Sequence, residues 1–174
     1  MKKRKALFVF LICSLFWAYS PAPTVFAKEI KWRPVKEGMI LGKEEGKKIL
    51  IHFYTDWCGY CTMMREETFR DPKVISYINR NYIPIRVDND KESMDGIVAV
   101  GLPDTWFLTS EGETIAHQPG FIDANRTMDM LKYVSTDSYG RMGFKEFLES
   151  GEREGDVEYH GYREYKDSWN PENF

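Results

Sequence analysis

Apolar and polar positions along this chain alternate between two periods. Lys48 to Thr55 (K-I-L-I-H-F-Y-T) is a near-continuous run of β-branched and aromatic residues, the pattern of a strand buried on both faces of a parallel or mixed sheet. Tyr82 to Val87 reads as a second strand. Asp104 to Thr109 and Thr114 to Gln118 are two more, joined by Ser110-Glu111-Gly112-Glu113, a hairpin signal. Helical spacing takes over between them. From Gly59 to about Phe69 the residues are helix formers, and Asp71-Pro72 opens a further helix with Asp71 as N-cap and Pro72 at the first helical position. Val74, Ile75 and Ile78 form its buried stripe, and Ala124, Met128, Leu131 and Val134 repeat at helical spacing near the end. Upstream, Glu29 to Arg33 reads as the first folded segment and Val35 to Gly46 as a short helix interrupted by glycine. Lys91 to Val100 is a short helix or a loop. The order β, α, β, α, β, β, α predicts an α/β fold with a central mixed β-sheet flanked by helices.

The N-terminus follows another logic. Lys2, Lys3, Arg4 and Lys5 precede an apolar run from Ala6 to Tyr19, and Val25-Phe26-Ala27 is a small-residue cleavage site, the three parts of an export signal. Fourteen apolar residues span only about 21 Å as a helix against roughly 30 Å of hydrocarbon, which favours a cleaved signal over a membrane anchor facing the periplasm. The expected organisation is a signal peptide over 1–27, one domain over 28–135, and a C-terminal helical extension with an acidic, aromatic tail over 136–174. The tail's Tyr159, Tyr162, Tyr165 and Trp169 recur at about one helical turn. Its charge and glycine content fit a loosely held extension better than a docking segment.

Charge narrows the functions. Removing the signal takes four of the 24 basic residues and none of the 27 acidic ones, moving the net charge from −3 to −7. Nothing in that balance favours nucleic acid or an anionic membrane surface.

The cysteines point to chemistry. With Cys13 inside the signal, Cys58 and Cys61 of Trp57-Cys58-Gly59-Tyr60-Cys61 are the two that remain. An exported protein with a single Cys-x-x-Cys pair has no thiols to spare for a disulfide framework, so the pair itself reads as a working dithiol. It lies where a strand feeds a helix, beyond the carboxyl end of the sheet, where open α/β sheets place their sites. A cysteine at a helix start meets unpaired N–H groups and the positive end of the macrodipole, which favour thiolate. Cys58 is thus the attacking sulfur. Cys61, one turn on, resolves the mixed disulfide. A zinc site would need two further ligands, and His52, His117 and His160 show no paired spacing. A c-type haem would need His at Thr62. Asp88-Asn89-Asp90 lacks the glycine and closing Glu of a calcium loop and reads as a solvated turn. Met63 and Met64 read as packing groups.

Cys58-Gly59-Tyr60-Cys61 preceded by Asp56-Trp57, Pro103 after Val100-Gly101-Leu102, and Gly112 and Gly120 around the last hairpin together resemble the thioredoxin superfamily. Within it, the chain is similar to exported bacterial thioredoxin-like proteins that serve as periplasmic disulfide reductases, including those found alongside sulfur-oxidation systems. The resemblance covers roughly Ile30 to Val134, and Tyr139 to Leu148 is similar to their appended helix. It implies a thioredoxin-like fold, a redox-active Cys58–Cys61 disulfide serving in place of any other cofactor, and Pro103 in the cis form beside it. The expected substrates are oxidised periplasmic proteins, and the expected electron donor is an upstream membrane thiol carrier, since no nucleotide or flavin motif is present; the chain is expected to act as a monomer.

Three positions depart from ordinary thioredoxin. His52 stands six residues before Cys58, where thioredoxins carry a buried Asp that shuttles the proton of the second cysteine. An imidazole with an ordinary pKa near 6.5 could do that work; a buried strand histidine with no catalytic part is the equal alternative. Tyr60 replaces the usual Pro, giving the Gly-Tyr pair of periplasmic disulfide isomerases and keeping isomerisation open. Leu102 stands where Thr or Val commonly precedes the cis proline, altering contacts with substrate. Trp57 is expected to shield the disulfide and shape the substrate surface, with core packing as the alternative. A non-catalytic module that holds extended chains beside Pro103 is the reading from a different class.

Overall fold

The computed structural model describes residues 27–150. Of the expected export signal over 1–27, residues 1–26 lie outside the described residues, as does the tail from residue 151 onward. Helix α1 (Val35–Glu45) ends at Gly46, whose φ of 62° is the left-handed conformation that closes a helix without steric strain. Strand β1 (Lys48–Tyr54) follows, then helix α2 (Gly59–Met63), which widens into one π turn over Met64–Thr68, closed by the Phe69 N–H donating to the Met64 carbonyl at 3.0 Å. Helix α3 (Pro72–Asn81) begins as the sequence predicts: the Asp71 carboxylate accepts from the N–H groups of Lys73 and Val74, and Pro72 occupies the first turn. Strands β2 (Tyr82–Asp88), β3 (Asp104–Leu108) and β4 (Thr114–Pro119) precede helix α4 (Ala124–Ser135), capped by Asp123, a 3₁₀ turn at Ser138–Gly140, and helix α5 (Phe144–Glu149).

The four strands form one mixed sheet in the order β2-β1-β3-β4. β1 and β2 run parallel, and β3 runs antiparallel to both β1 and β4. As the central strand, β1 divides its side chains between two cores. Ile49, Ile51 and Phe53 join Ile83, Ile85, Val87 and Leu108 beneath α1. On the other face Leu50 joins Met64, Val74, Ile78, Phe107, Met130, Leu131 and Phe147 beneath the remaining helices. Burial on both faces explains why β1 reads as an unbroken apolar run.

Glu29 to Arg33 joins the sheet only through Arg33, whose N–H donates to the Pro84 carbonyl at 2.9 Å. Lys91 to Val100 takes the loop form, one of the two expected, with a bridge between Met94 and Ile97. Two details differ from expectation. The appended helix over Tyr139 to Leu148 is broken, with α5 starting only after Gly143. In α4 the buried face extends past the Leu131 and Val134 stripe to Thr127, Met130 and Tyr133. The widening has a cause: Tyr133 packs edge-on against Phe144 of α5 at 5.1 Å, so α4 is covered from the sheet and from its own C-terminal neighbour.

Candidate redox site

At the end of β1 the chain makes one turn, in which the Cys58 N–H reaches back to the Thr55 carbonyl, and enters α2 with Cys58 as its N-cap. Cys58 and Cys61 are joined in a disulfide across a Cα–Cα separation of 5.2 Å. The Sγ of Cys58 also accepts the backbone N–H of Cys61 at 3.1 Å. That N–H is one of the donors a helix start leaves unpaired. Both sulfurs are well covered, Cys58 at 7 % exposure and Cys61 at 3 %. The more accessible of the two is the one at the cap.

Two aromatic side chains stand over this turn in solvent, Trp57 at 74 % exposure and Tyr60 at 64 %. Trp57 is therefore no core residue. Its indole Nε1 donates to Asp90 Oδ2 at 2.8 Å, which fixes the ring from the loop after β2. In that loop Asp88 Oδ1 accepts the Asp90 N–H, and Lys91 Nζ sits 2.5 Å from Asp88 and 3.6 Å from Asp56. The hydrogen bond from Lys91 holds the Asp88 carboxyl below its ordinary pKa, and Asp88 in turn raises the Lys91 ammonium. In the sequence alone Asp88 to Asp90 reads as a solvated turn. Because β1 and β2 are parallel, their carboxyl ends lie side by side, and the acidic turn after β2 meets the cysteine turn after β1. That pairing was the signal available in the sequence order.

The Leu102–Pro103 peptide bond is cis. Register places it: Asp104 pairs with Phe53, so Pro103 lies at the end of β1 from which the chain runs into Cys58. Pro103 is buried, and its carbonyl accepts the Gly120 N–H at 2.7 Å. Leu102 is half-buried, with part of its side chain packed on the core beneath α1 rather than turned wholly to solvent.

His52 lies on the face opposite Phe53, edge-on to Phe69 at 4.8 Å, parallel to Tyr54 at 6.2 Å and near Trp32 at 6.0 Å. Its Nδ1 has no hydrogen-bond partner. Burial, and beyond it the charge of Arg86, pull its pKa from 6.5 down to about 3. Arg86 is held over the Tyr54 ring at 3.7 Å. The folded chain keeps this imidazole neutral and weakly basic, because a cation there would lose its hydration among aromatic rings. Met64 is buried in the same core, and Met63 is half-buried. Among the described residues, no three of His, Cys, Asp and Glu are grouped to hold a metal, and no helix is long and apolar enough to cross a membrane.

Comparison with known proteins gives the same picture from outside. The thioredoxin-like domain family matches residues 35–135. The thiol:disulfide interchange protein DsbD of Photorhabdus laumondii is 28% identical over 110 residues, covering 59% of this chain and 19% of that protein. DsbD of Yersinia pestis is 29% identical over 117 residues, covering 60% and 20%. The chain thus spans about a fifth of the length of these relatives. Among solved structures, a thioredoxin from Thermus thermophilus superposes with a TM-score of 0.53 at 20% identity, over 61% of this chain and 87% of that one. A putative disulphide-isomerase from Bacteroides thetaiotaomicron gives 0.50 at 26% identity, over 64% and 97%.

Proposed function

The chain belongs to the thioredoxin-like family and carries in Cys58–Cys61 the disulfide of a thiol:disulfide oxidoreductase, and we propose that it reduces disulfides of oxidised proteins in the periplasm. The observation that carries this reading is the cap itself, where the more exposed sulfur, Cys58, faces the Cys61 N–H under two solvent-exposed aromatic rings. In the reduced chain the Cys58 thiolate attacks a substrate disulfide, forming a mixed disulfide and releasing one substrate thiolate. The Cys61 thiolate then attacks Cys58 Sγ, re-forms the Cys58–Cys61 bond and releases the second thiolate. Two electrons pass from the dithiol to the substrate, and a donor dithiol must restore them.

Trp57 and Tyr60 supply the apolar face that meets the substrate, and Leu102-Pro103 the edge along which its backbone lies. A membrane thiol carrier is the proposed donor, since no nucleotide or flavin motif accompanies the cysteines. The relatives' description as thiol:disulfide interchange proteins supports such a chain of exchanges. The basic and apolar N-terminal segment with its Val25-Phe26-Ala27 site supports export. Action as a monomer is part of the proposal.

Isomerisation is the second reading, favoured by the Gly59-Tyr60 pair and by the likeness to the Bacteroides protein. Insulin reduction driven by dithiothreitol and reactivation of scrambled ribonuclease separate the two. Rapid insulin precipitation with little ribonuclease recovery is expected; the opposite pattern would replace reductase by isomerase, and neither activity would leave the chain a non-catalytic binding module.

A further inference from the structure

The residue after the cis proline carries a carboxylate that none of the chemistry above uses. Asp104 is fully buried at the first position of β3. A carboxylate held out of water is costly unless its lone pairs are satisfied, and a loosely paired one adds little to stability compared with an apolar side chain of its size. Asp104 has two partners, each at a distance longer than a tight ion pair. Its Oδ2 accepts the backbone N–H of Val100 at 3.3 Å, and its Oδ1 faces Nδ1 of His117 at 3.3 Å. Where the carboxyl is ionised it only accepts, and the Nδ1 facing it then carries the hydrogen. His117 is fixed in turn, its ring stacked on Trp106 at 4.3 Å and 23° as the cross-strand neighbour in β3 and β4.

These contacts share one consequence. The Val100 bond closes the five residues from Val100 to Asp104 around the Leu102–Pro103 peptide, and the Gly120 N–H, just past the end of β4, holds the Pro103 carbonyl. The segment is thereby tied both to its own loop and to the hairpin. Just upstream, Val98 and Val100 present exposed apolar side chains.

We propose that Asp104, oriented by His117, is a positioning residue that sets the height and angle of the Leu102–Pro103 edge against a bound polypeptide. The inference rests on the reading that this edge meets substrate. Asp104 itself touches neither sulfur nor substrate. Its role therefore concerns capture of a protein disulfide, not the intrinsic reactivity of the Cys58–Cys61 pair.

Two reactions of the full chain separate those quantities. One is steady-state reduction of insulin at varied insulin concentration; the other is reduction of the Cys58–Cys61 disulfide by dithiothreitol alone, followed by tryptophan fluorescence. Asp104→Asn keeps the shape but turns an amide NH₂ toward one of the two donors. It is expected to raise KM for insulin about fivefold, in line with loss of one hydrogen bond of ordinary strength, while the dithiothreitol rate stays within about twofold. His117→Phe keeps the ring on Trp106 and removes the donor, and should give the same split; if Asp104→Asn does not fold, this variant carries the test. His117→Gln, which restores an N–H donor, should return KM toward the wild-type value, and the double variant Asp104→Asn/His117→Phe should be no worse than either single one. An unchanged KM in the folded variants, or equal losses in both reactions, would overturn the assignment. Wild-type chain that reacts with dithiothreitol but reduces no insulin would instead overturn the reductase reading, and this one with it.

Discussion

The backbone N–H of Cys61 is aimed at the Sγ of Cys58 across 3.1 Å, so the residue proposed to resolve the reaction also supplies a donor to the sulfur proposed to attack. The donor belongs to the main chain and survives replacement of the Cys61 side chain. Cys61→Ala should therefore still capture substrate on Cys58 and accumulate mixed disulfides, whereas Cys58→Ala should fall to the uncatalysed rate of insulin reduction. Non-reducing electrophoresis of the two variants after exposure to oxidised protein checks this. Capture by Cys61 alone would reverse the roles.

His52 gives a stability prediction with a definite sign. Its folded pKa, about 3, lies below its ordinary 6.5. Between those values the unfolded chain binds a proton that the folded chain refuses, so the stabilisation is present above pH 6.5 and drains as pH falls toward 3. From pH 7 to pH 5 the loss from this residue amounts to about 2 kcal/mol. Urea unfolding at the two pH values should show wild type losing about that much more than His52→Leu. The same neutrality means that resolution by Cys61, timed across pH 6 to 9 in the folded variant, should keep its wild-type pH profile; a shifted profile would return His52 to the proton path.

Trp57 and Asp90 yield a prediction that separates binding from folding. The indole is exposed and tethered by a single hydrogen bond, so Trp57→Ala should change stability by no more than about 0.5 kcal/mol, as surface substitutions do. It removes the large apolar surface proposed to meet substrate, and KM for insulin should rise about tenfold. Asp90→Ala leaves the ring but frees it, and a smaller rise, about two- to threefold, is expected. Equal effects of both variants would show that the tether and not the ring carries the contribution.

Helix α1 reads as weak because of its glycines, and the structure shows what they do. A Cβ at Gly42 would stand 2.7 Å from Cδ1 of Ile49, and one at Gly38 would overlap the side chain of Ile85. Glycine lets α1 lie directly on β1 and β2. In an exposed helix Gly→Ala would stabilise by about 1 kcal/mol; here overpacking should reverse the sign, with Gly38→Ala destabilising by about 1–3 kcal/mol. Thermal unfolding of the variant checks the direction.

The pattern of side chains carried the four strands, the Asp71-Pro72 helix start and the cysteine turn, because each depends on local period or on a capping residue that acts within a few positions. What it could not carry were properties set by distant neighbours. The pKa of His52 depends on Trp32, Tyr54, Phe69 and Arg86 closing around it, and an isolated imidazole has no sign of that. Asp90 and Asp104 gained their partners only when parallel pairing of β1 with β2 and the β3–β4 hairpin brought separate loops together. The break at Gly143 was local, but the resemblance to an appended helix outweighed it.

The charges around the cysteine turn predict the direction of electron flow. A strong oxidant stabilises its attacking thiolate with a positively polarised neighbour inside the dipeptide, and Gly59-Tyr60 offers none. Around the turn stand three carboxylates, Asp56, Asp88 and Asp90, against two cations, the Lys91 ammonium, which the first two share, and the Arg86 guanidinium, whose charge reaches Asp88. Net negative charge disfavours thiolate and makes the disulfide harder to reduce. The reduction potential should then lie nearer the roughly −270 mV of thioredoxin than the ~−120 mV of the strong periplasmic oxidant. Asp56 and Lys91 are exposed and their fields are screened, so Asp56→Asn should raise the potential, and Lys91→Ala lower it, by no more than about 30 mV, a tenfold change in the exchange constant. Equilibration of the oxidised and reduced forms against glutathione measures all three values; a wild-type potential above about −150 mV would assign the chain to oxidation or isomerisation instead.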